Sequence, residues 1–294
     1  MRWLFSGFAA AVAISAPTYA AETLRVAPVP GWVKPVELPK ADDSKGGAIQ
    51  MLLLDRQARL GSQGGAEYYE ESAYKILNAQ GLQVGGALGL VWDPLTDTIV
   101  LHKVEIIRDG KAIDVLADGQ PFTVMRRESN MAEAVIDGRL TGMRELHDLR
   151  VGDIVHFARS RVSTSKVPGL KAEYWDGVPP GVITNRVYFR VRWPKAEPVR
   201  WRASEDLDGV TVKADGEDME LLYDRRDVER AIGPEDAPAR YQFLGQFQLS
   251  AFKDWRELSS VFAPIYIKAA ALPARSPLKS VAEKIRRENA SPQA

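Results

Sequence analysis

The chain has 294 residues, with 39 lysines and arginines against 39 aspartates and glutamates, three histidines and no cysteine. Hydrophobic residues at 45% and charged residues at 27% give it a globular composition, which excludes a disordered chain and a multi-span membrane protein. Zero net charge gives no electrostatic reason to expect nucleic acid or an anionic membrane as partner. The lack of cysteine removes disulfides, cysteine-ligated zinc, iron–sulfur clusters, a thiol nucleophile and a lipoprotein anchor.

The N-terminus carries Arg2, an apolar run from Trp3 to Ala16 broken by Pro17, and small residues at Thr18 and Ala20. This three-part pattern predicts a secretory signal at 1–20, cleaved after Ala20. The run is too short to span a bilayer, which takes about 20 apolar residues. No later stretch is apolar enough to span, so the expected destination is the periplasm or the extracellular space, with no membrane span after cleavage.

Residues 21–48 carry Pro28, Pro30, Pro35 and Pro39, which disfavour both helix and central strand, and are read as an extended lead-in pinned by Trp32. Short segments with period-two alternation or β-branched content follow, separated by turn residues. Strands are predicted at 49–58 and 67–77, then a turn at Asn78–Gly81 with Gly81 at positive φ. Further strands are expected at 84–92 and 98–108. Asp109-Gly110 marks a hairpin whose return strand covers 113–116. A short strand at 123–125 precedes strands at 134–140 and 143–146, which frame a turn at Thr141-Gly142. Val151-Gly152-Asp153 launches a strand over 154–162, with Gly152 relieving backbone strain and Asp153 bonding nearby amides. The clearest half-buried strand is 182–193: Val187, Phe189, Val191 and Trp193 share one side, and Arg186, Tyr188, Arg190 and Arg192 the other. Strands at 199–203, 210–214 and 219–224 complete the series, with a hairpin at Ala214–Glu217.

This many short strands with frequent turn signals predicts an all-β antiparallel sandwich over 49–226. Residues 227–294 are read as a linker, Gly233–Pro238, and a helical tail. One more strand is expected within 241–250. The first helix carries apolar residues at 255, 258, 261, 262 and 265, with Ser250 or Asp254 as N-cap. The second covers 278–289, with Ser276 as cap and Pro277 at the first helical position.

The chemistry-bearing residues form no recognisable catalytic set. His102, His147 and His156 lack the paired spacing of metal ligands. No nucleophile elbow and no phosphate-binding loop occur. Glu70, Glu71 and Glu173 have no special sequence context. Arg186, Arg190 and Arg192 read as a solvated face paired with neighbouring acids. No catalytic residue, metal or cofactor is therefore expected. Trp175, followed by Asp176-Gly177-Val178-Pro179-Pro180-Gly181, is placed in an exposed loop. There it serves as a core anchor or loop pin, or else as a ligand contact that stacks on a ring.

Several segments in order resemble DUF3857, a domain of unknown function that precedes transglutaminase-like domains in exported bacterial proteins. They are Tyr74–Gly81, the strand ending in Asp109-Gly110-Lys111, Asn185–Val191 with Pro194, Ser250–Leu258 and, most specifically, Leu149-Arg150-Val151-Gly152-Asp153-Ile154-Val155. The resemblance covers roughly residues 49–265. It implies that longer members continue to a cysteine nucleophile in a Gly-Asp-Cys context, with His and Asp beyond. The 294 residues contain no such cysteine. The chain is accordingly expected to be non-catalytic, and to be a truncated product, a gene fragment or a stand-alone amino-terminal module.

Three functions compete. The first is a binding or positioning module attached to a transglutaminase-like domain. The second is the amino-terminal part of a transglutaminase-like cysteine peptidase. The third is a cell-envelope carbohydrate- or peptide-binding protein using Trp175.

Overall fold

The computed structural model describes residues 24–41, 46–61, 64–126, 137–179, 183–229, 236, 238 and 245–288. The predicted signal sequence lies outside the described residues, as does most of the Gly233–Pro238 break.

The alternating segments form one broad sheet and two small ones. In spatial order the broad sheet runs β1 (Arg25–Val26), β5 (Asp97–Arg108), β9 (Ile154–Ser163), β3 (Ala66–Ile76), β2 (Ile49–Leu60), β11 (Thr184–Pro194), β14 (Asp218–Val228) and β13 (Thr211–Asp215), with β6 (Lys111–Asp114) paired to β5. Most neighbours are antiparallel, but β1 runs parallel to β5 and β11 parallel to β2. The first small sheet is β4 (Ala87–Trp92), β8 (Leu140–Glu145) and β7 (Thr123–Arg126). The second is β10 (Glu173–Gly177), β15 (Gln246–Ser250) and β12 (Arg200–Ala203).

Both small sheets cover the same face of the broad one, giving a sandwich whose second layer is split. Val187, Phe189, Val191 and Trp193 of β11 pack with Leu54 and Ala58 of β2 and with Leu221 and Tyr223 of β14, against Phe247 and Leu249 of the second small sheet. Ile99, Leu101 and Val104 of β5 and Val155 and Phe157 of β9 pack against Leu88, Leu90 and Trp92 of the first. The predicted all-β class holds, with a short helical tail at the C-terminal end.

The lead-in lies across the opposite face. Its prolines keep it extended, and only Arg25–Val26, ahead of Pro28, forms a strand, at the sheet's edge. Val33 packs on Tyr69 and Ala158 beside Trp32, while Val36, Leu38 and Ala41 cover Leu52, Leu53 and Ala73. The predicted pinning by Trp32 is present. Its carbonyl accepts a hydrogen bond from Arg190 Nη1 at 2.9 Å, and the Arg59 guanidinium lies over its ring.

Four local expectations are corrected. Asn78–Gly81 is not a turn but the start of helix α1 (Ala79–Gly85), with the Asn78 side chain accepting from the Gly81 N–H at 3.1 Å. Gly81 does not have positive φ. It is glycine because a Cβ there would sit 2.1 Å from the Ala48 carbonyl oxygen. Helix α1 also takes Val84, so β4 begins at Ala87. Thr141-Gly142 lies inside β8 rather than at a turn, where Gly142 lets the Trp92 ring approach (a Cβ would meet it at 3.3 Å). Trp175 is in strand β10, not in a loop.

The hairpin chemistry is as read. Asp109 and Gly110 both take positive φ, 49° and 75°, the combination a two-residue type I′ turn demands. Asp254 caps α2 (Trp255–Ala270) by accepting from the Glu257 N–H, and the Ser276 hydroxyl accepts from the Leu278 N–H at the start of α3 (Leu278–Glu288).

Candidate functional site

The face of the broad sheet beneath the lead-in is unusually polar. Alternation along β2, β3, β5 and β9 brings Asp55, Gln57, Tyr69, Glu71, Lys103, Glu105 and His156 to this side, and the register pairs Asp55 with Glu71, Gln57 with Tyr69, and Glu105 with His156. Glu71 is the hub. One carboxylate oxygen accepts from His156 Nε2 at 2.7 Å and Lys103 Nζ at 2.9 Å, and the other from the Tyr69 hydroxyl at 2.8 Å. Burial pushes the Glu71 carboxyl up, but these three donors outweigh it and hold its pKa at about 2. The Tyr69 phenol is raised far above its ordinary value by burial and the Glu71 charge.

Asp55 meets the opposite fate. It is fully buried, and desolvation, only partly offset by the Gln57 hydrogen bond, pushes its pKa up to about 8. Gln57 clasps the lead-in, accepting from the Lys34 N–H at 2.9 Å and donating to the Lys34 carbonyl at 2.7 Å. The same amide reaches both Asp55 oxygens at 3.0–3.1 Å.

A carboxylate beside histidine, lysine and tyrosine has the composition of an acid–base site. Its geometry argues for structure instead. Glu71 is saturated with donors, its pKa is far below a working general base, and the lead-in closes the face. The arginine stripe on β11 belongs to the same layer. Arg190 is buried against Glu220 at 2.7 Å, Arg186 pairs with Asp224 at 2.9 Å, and Arg192 with Asp218 at 3.1 Å. The arginines pair with neighbouring acids as read, here on β14 and at Asp215 of β13, but at Arg190 the face is covered rather than solvated.

The histidines do not converge. His102 and His156 share this face, yet His102 bonds the Ala27 carbonyl and the Ser160 hydroxyl, and His147 is exposed elsewhere. Among the described residues no group of three or more ligating side chains could hold a metal ion. Asp153 is structural as read. It is buried, takes Arg108 Nε and Nη2 at 2.9 and 2.8 Å and accepts from the Arg150 N–H, while Gly152 adopts φ 96°.

Trp175 is the exposed exception. It is 71% exposed on the outer face of the second small sheet. The register places Trp175, Gln248 and Arg202 in one outward row and Glu173, Ser250 and Arg200 in the next. These six residues line an open groove of about 430 Å³ with Trp201 at its rim. The tryptophan is therefore neither a core anchor nor a loop pin, and the bonded sheet beneath holds it rigidly. On the inner face, Tyr174 stacks with Tyr68 and packs against Phe247.

A second exposed surface lies on the tail. No residue of α2 or α3 is buried. Trp255 is 83% exposed, and Tyr266, Ile267, Leu278, Val281 and Ile285 are all exposed. The body touches α2 near its start, through Lys171 to Glu257 at 2.5 Å and Gly169 against Val261.

A family profile described as "Domain of Unknown Function with solved-structure structure (DUF3857)" matches residues 62–231, more than half of the chain. The chain belongs to the DUF3857 family. Among solved structures, a "putative protease" from Parabacteroides distasonis ATCC 8503 is similar at 10% identity with a TM-score of 0.66, over 82% of this chain and 46% of that one. At that identity the likeness is one of fold, and the chain spans about half the length of that protein. An M1 zinc metallopeptidase from Deinococcus radiodurans aligns with 69% of this chain and 42% of its own at 11% identity, with a TM-score of 0.35. The search of curated proteins found no match.

Two features of this DUF3857 chain escaped the sequence reading. The Glu71 cluster is assembled from three strands and looks, in sequence, like an ordinary polar face. One signal existed: Trp32, Val33, Val36 and Leu38 put apolar side chains into a proline-rich segment, which a free linker has no reason to carry. The partners of Trp175 were invisible because Arg200, Arg202 and Gln248 come from strands far along the chain.

Proposed function

We propose that this DUF3857 chain is an exported, non-catalytic module that positions a transglutaminase-like domain against its helical tail. The observation that carries this reading is the pair of helices. Both are capped and neither buries a residue fully: α2 half-buries Leu258, Val261 and Phe262 but leaves Trp255, Ile265, Tyr266 and Ile267 exposed, and α3 leaves Leu278, Val281 and Ile285 exposed, so these apolar residues require a cover that the described residues do not supply. The half-length likeness to a longer protein of the same fold supports the same reading, as does the absence of any cysteine nucleophile from the sequence. A separately produced transglutaminase-like domain should form a complex with the full chain. Ile267→Asp combined with Ile285→Asp should abolish that complex without shifting the Tm of the sandwich. No complex, or one indifferent to these substitutions, would overturn the reading.

A second reading is favoured by a specific observation, the exposure of Trp175 on a rigid sheet. Here the module binds a cell-envelope glycan or peptide in the Trp175 groove. Trp175→Ala should then lose ligand binding at an unchanged Tm. Loss of both would return Trp175 to a structural role.

A further inference from the structure

The outer face of the β10–β15–β12 sheet carries more chemistry than its tryptophan. β15 is the central strand, and its backbone groups are committed to β10 on one side and β12 on the other. The edge strands are β10 and β12, so a peptide strand could be added only along their outer sides, and a ligand lying across the floor of the groove meets no free main-chain edge. What it presents is side chains only. These are the flat face of Trp175, the amide of Gln248, the hydroxyl of Ser250, and the charges of Glu173, Arg200 and Arg202.

Those charges are sorted. Glu173 stands at the end of its row on β10, beside Trp175, and accepts from Ser250 Oγ at 3.3 Å. Arg200 and Arg202 stand across the sheet on β12. Arg200 Nη1 is tied to the Lys253 carbonyl at 2.5 Å. Arg202 is exposed, and no residue among those described pairs with it. One side of the groove is thus aromatic with a hydrogen-bond acceptor, and the other is doubly cationic. With strands about 4.8 Å apart, Trp175 and Arg202 stand about 10 Å from each other across Gln248, roughly the span of two pyranose rings.

We propose that this face is a binding site for a carboxylate-bearing oligosaccharide. The proposal rests on the second functional reading above and names its ligand class. One sugar ring stacks its C–H face on Trp175, as apolar faces of ligands do on exposed indoles. Glu173 accepts a hydroxyl of that ring, and its charge keeps a second acid group from this end. The next ring crosses Gln248 and turns its carboxylate to the Arg202 guanidinium, whose planar fork matches a carboxylate with two parallel hydrogen bonds. Arg200 adds charge from the neighbouring row. A neutral glycan would leave the arginine side unused. An acidic peptide would use the arginines, but lying across the groove it reaches no strand edge, and it lacks the flat hydroxylated rings that suit Trp175, Gln248 and Glu173.

The test is calorimetric titration of the full chain with a hyaluronan oligosaccharide, in which neutral and uronate rings alternate, a neutral chito-oligosaccharide of equal length and a short poly-glutamate peptide, with tryptophan fluorescence as second readout. Saturable binding of the hyaluronan oligosaccharide is expected. Trp175→Ala should weaken it at least tenfold and abolish the fluorescence change. Arg202→Gln should weaken it about tenfold and flatten its salt dependence. Both variants should keep the wild-type Tm, because both side chains are exposed. Equal binding of the neutral glycan, lost on Trp175→Ala, would overturn the acidic class and leave Trp175 as a glycan contact. Preference for poly-glutamate would overturn the glycan and make this a peptide site. Binding of none of the three would overturn both the proposal and the reading beneath it.

Discussion

Asp55 and Glu71 face each other across β2 and β3, and the same layer drives their pKa values apart. Glu71 has three donors and titrates at about 2, below its ordinary 4.5, so the stability it contributes is present above pH 4.5 and is lost as pH falls toward 2. Asp55 has only an amide and titrates at about 8, above its ordinary 3.8. Between pH 3.8 and about 8 the unfolded chain has released a proton that the folded chain keeps. Asp55 therefore makes stability fall as pH rises across that window. Asp55→Asn keeps the shape and the Gln57 contact and removes the titration. Thermal denaturation should show the variant a few kcal/mol more stable than the parent at pH 8, at about 1.4 kcal/mol for each pKa unit, with the difference shrinking toward pH 4. A variant less stable at pH 8 would show that the Asp55 carboxylate has a cationic partner in solution.

At the scale of the element, the lead-in is held by side chains that grip its backbone. His102 takes the Ala27 carbonyl, Arg190 that of Trp32, and Gln57 both polar groups of Lys34. Gln57→Ala would remove both hydrogen bonds to the part-buried N–H and C=O of Lys34 and the donor to buried Asp55. A buried group left unsatisfied costs about 1–3 kcal/mol, and the part-buried groups of Lys34 cost less. The segment should loosen before the sheet does, so cleavage by Glu-C after Glu37 should accelerate at least tenfold while the Tm falls by only a few degrees. Unchanged cleavage would mean that the apolar contacts of Val33, Val36 and Leu38 hold the segment alone.

This layer also marks where the sequence was legible. Period-two alternation in β11 identified both of its faces, Gly152 and Asp153 were read correctly as a strand entry, and Asp109-Gly110 gave its turn, because each depends on neighbours within a few residues. The parallel pairing of β11 with β2, the split second layer and the cover over Glu71 depend on partners more than a hundred residues apart or on a segment without regular structure. Alternation says which side a residue faces, not what lies on that side. Gly81 misled for a similar reason: its sequence neighbours suggest a turn, while the Ala48 carbonyl that forbids a side chain comes from the residue just ahead of β2, remote in the chain.

Over the whole molecule, stability and exposure are divided. The sandwich has two cores and a covered polar face, whereas α2 and α3 lie outside every core, with Trp255, Ile265, Tyr266, Ile267, Leu278, Val281 and Ile285 exposed to water. Isolated helices of this length are marginal without tertiary packing. A module built to hold another domain should show this division directly, a rigid body with an arm that becomes ordered only when covered. Hydrogen exchange of the isolated full chain, read by mass spectrometry, tests that most directly. The account predicts strong protection in β2, β3, β9 and β11, intermediate protection in residues 31–41, and exchange of α2 and α3 within seconds. Helices protected as well as the central strands in the monomeric chain would mean that the fold is already complete, and would contradict the positioning role.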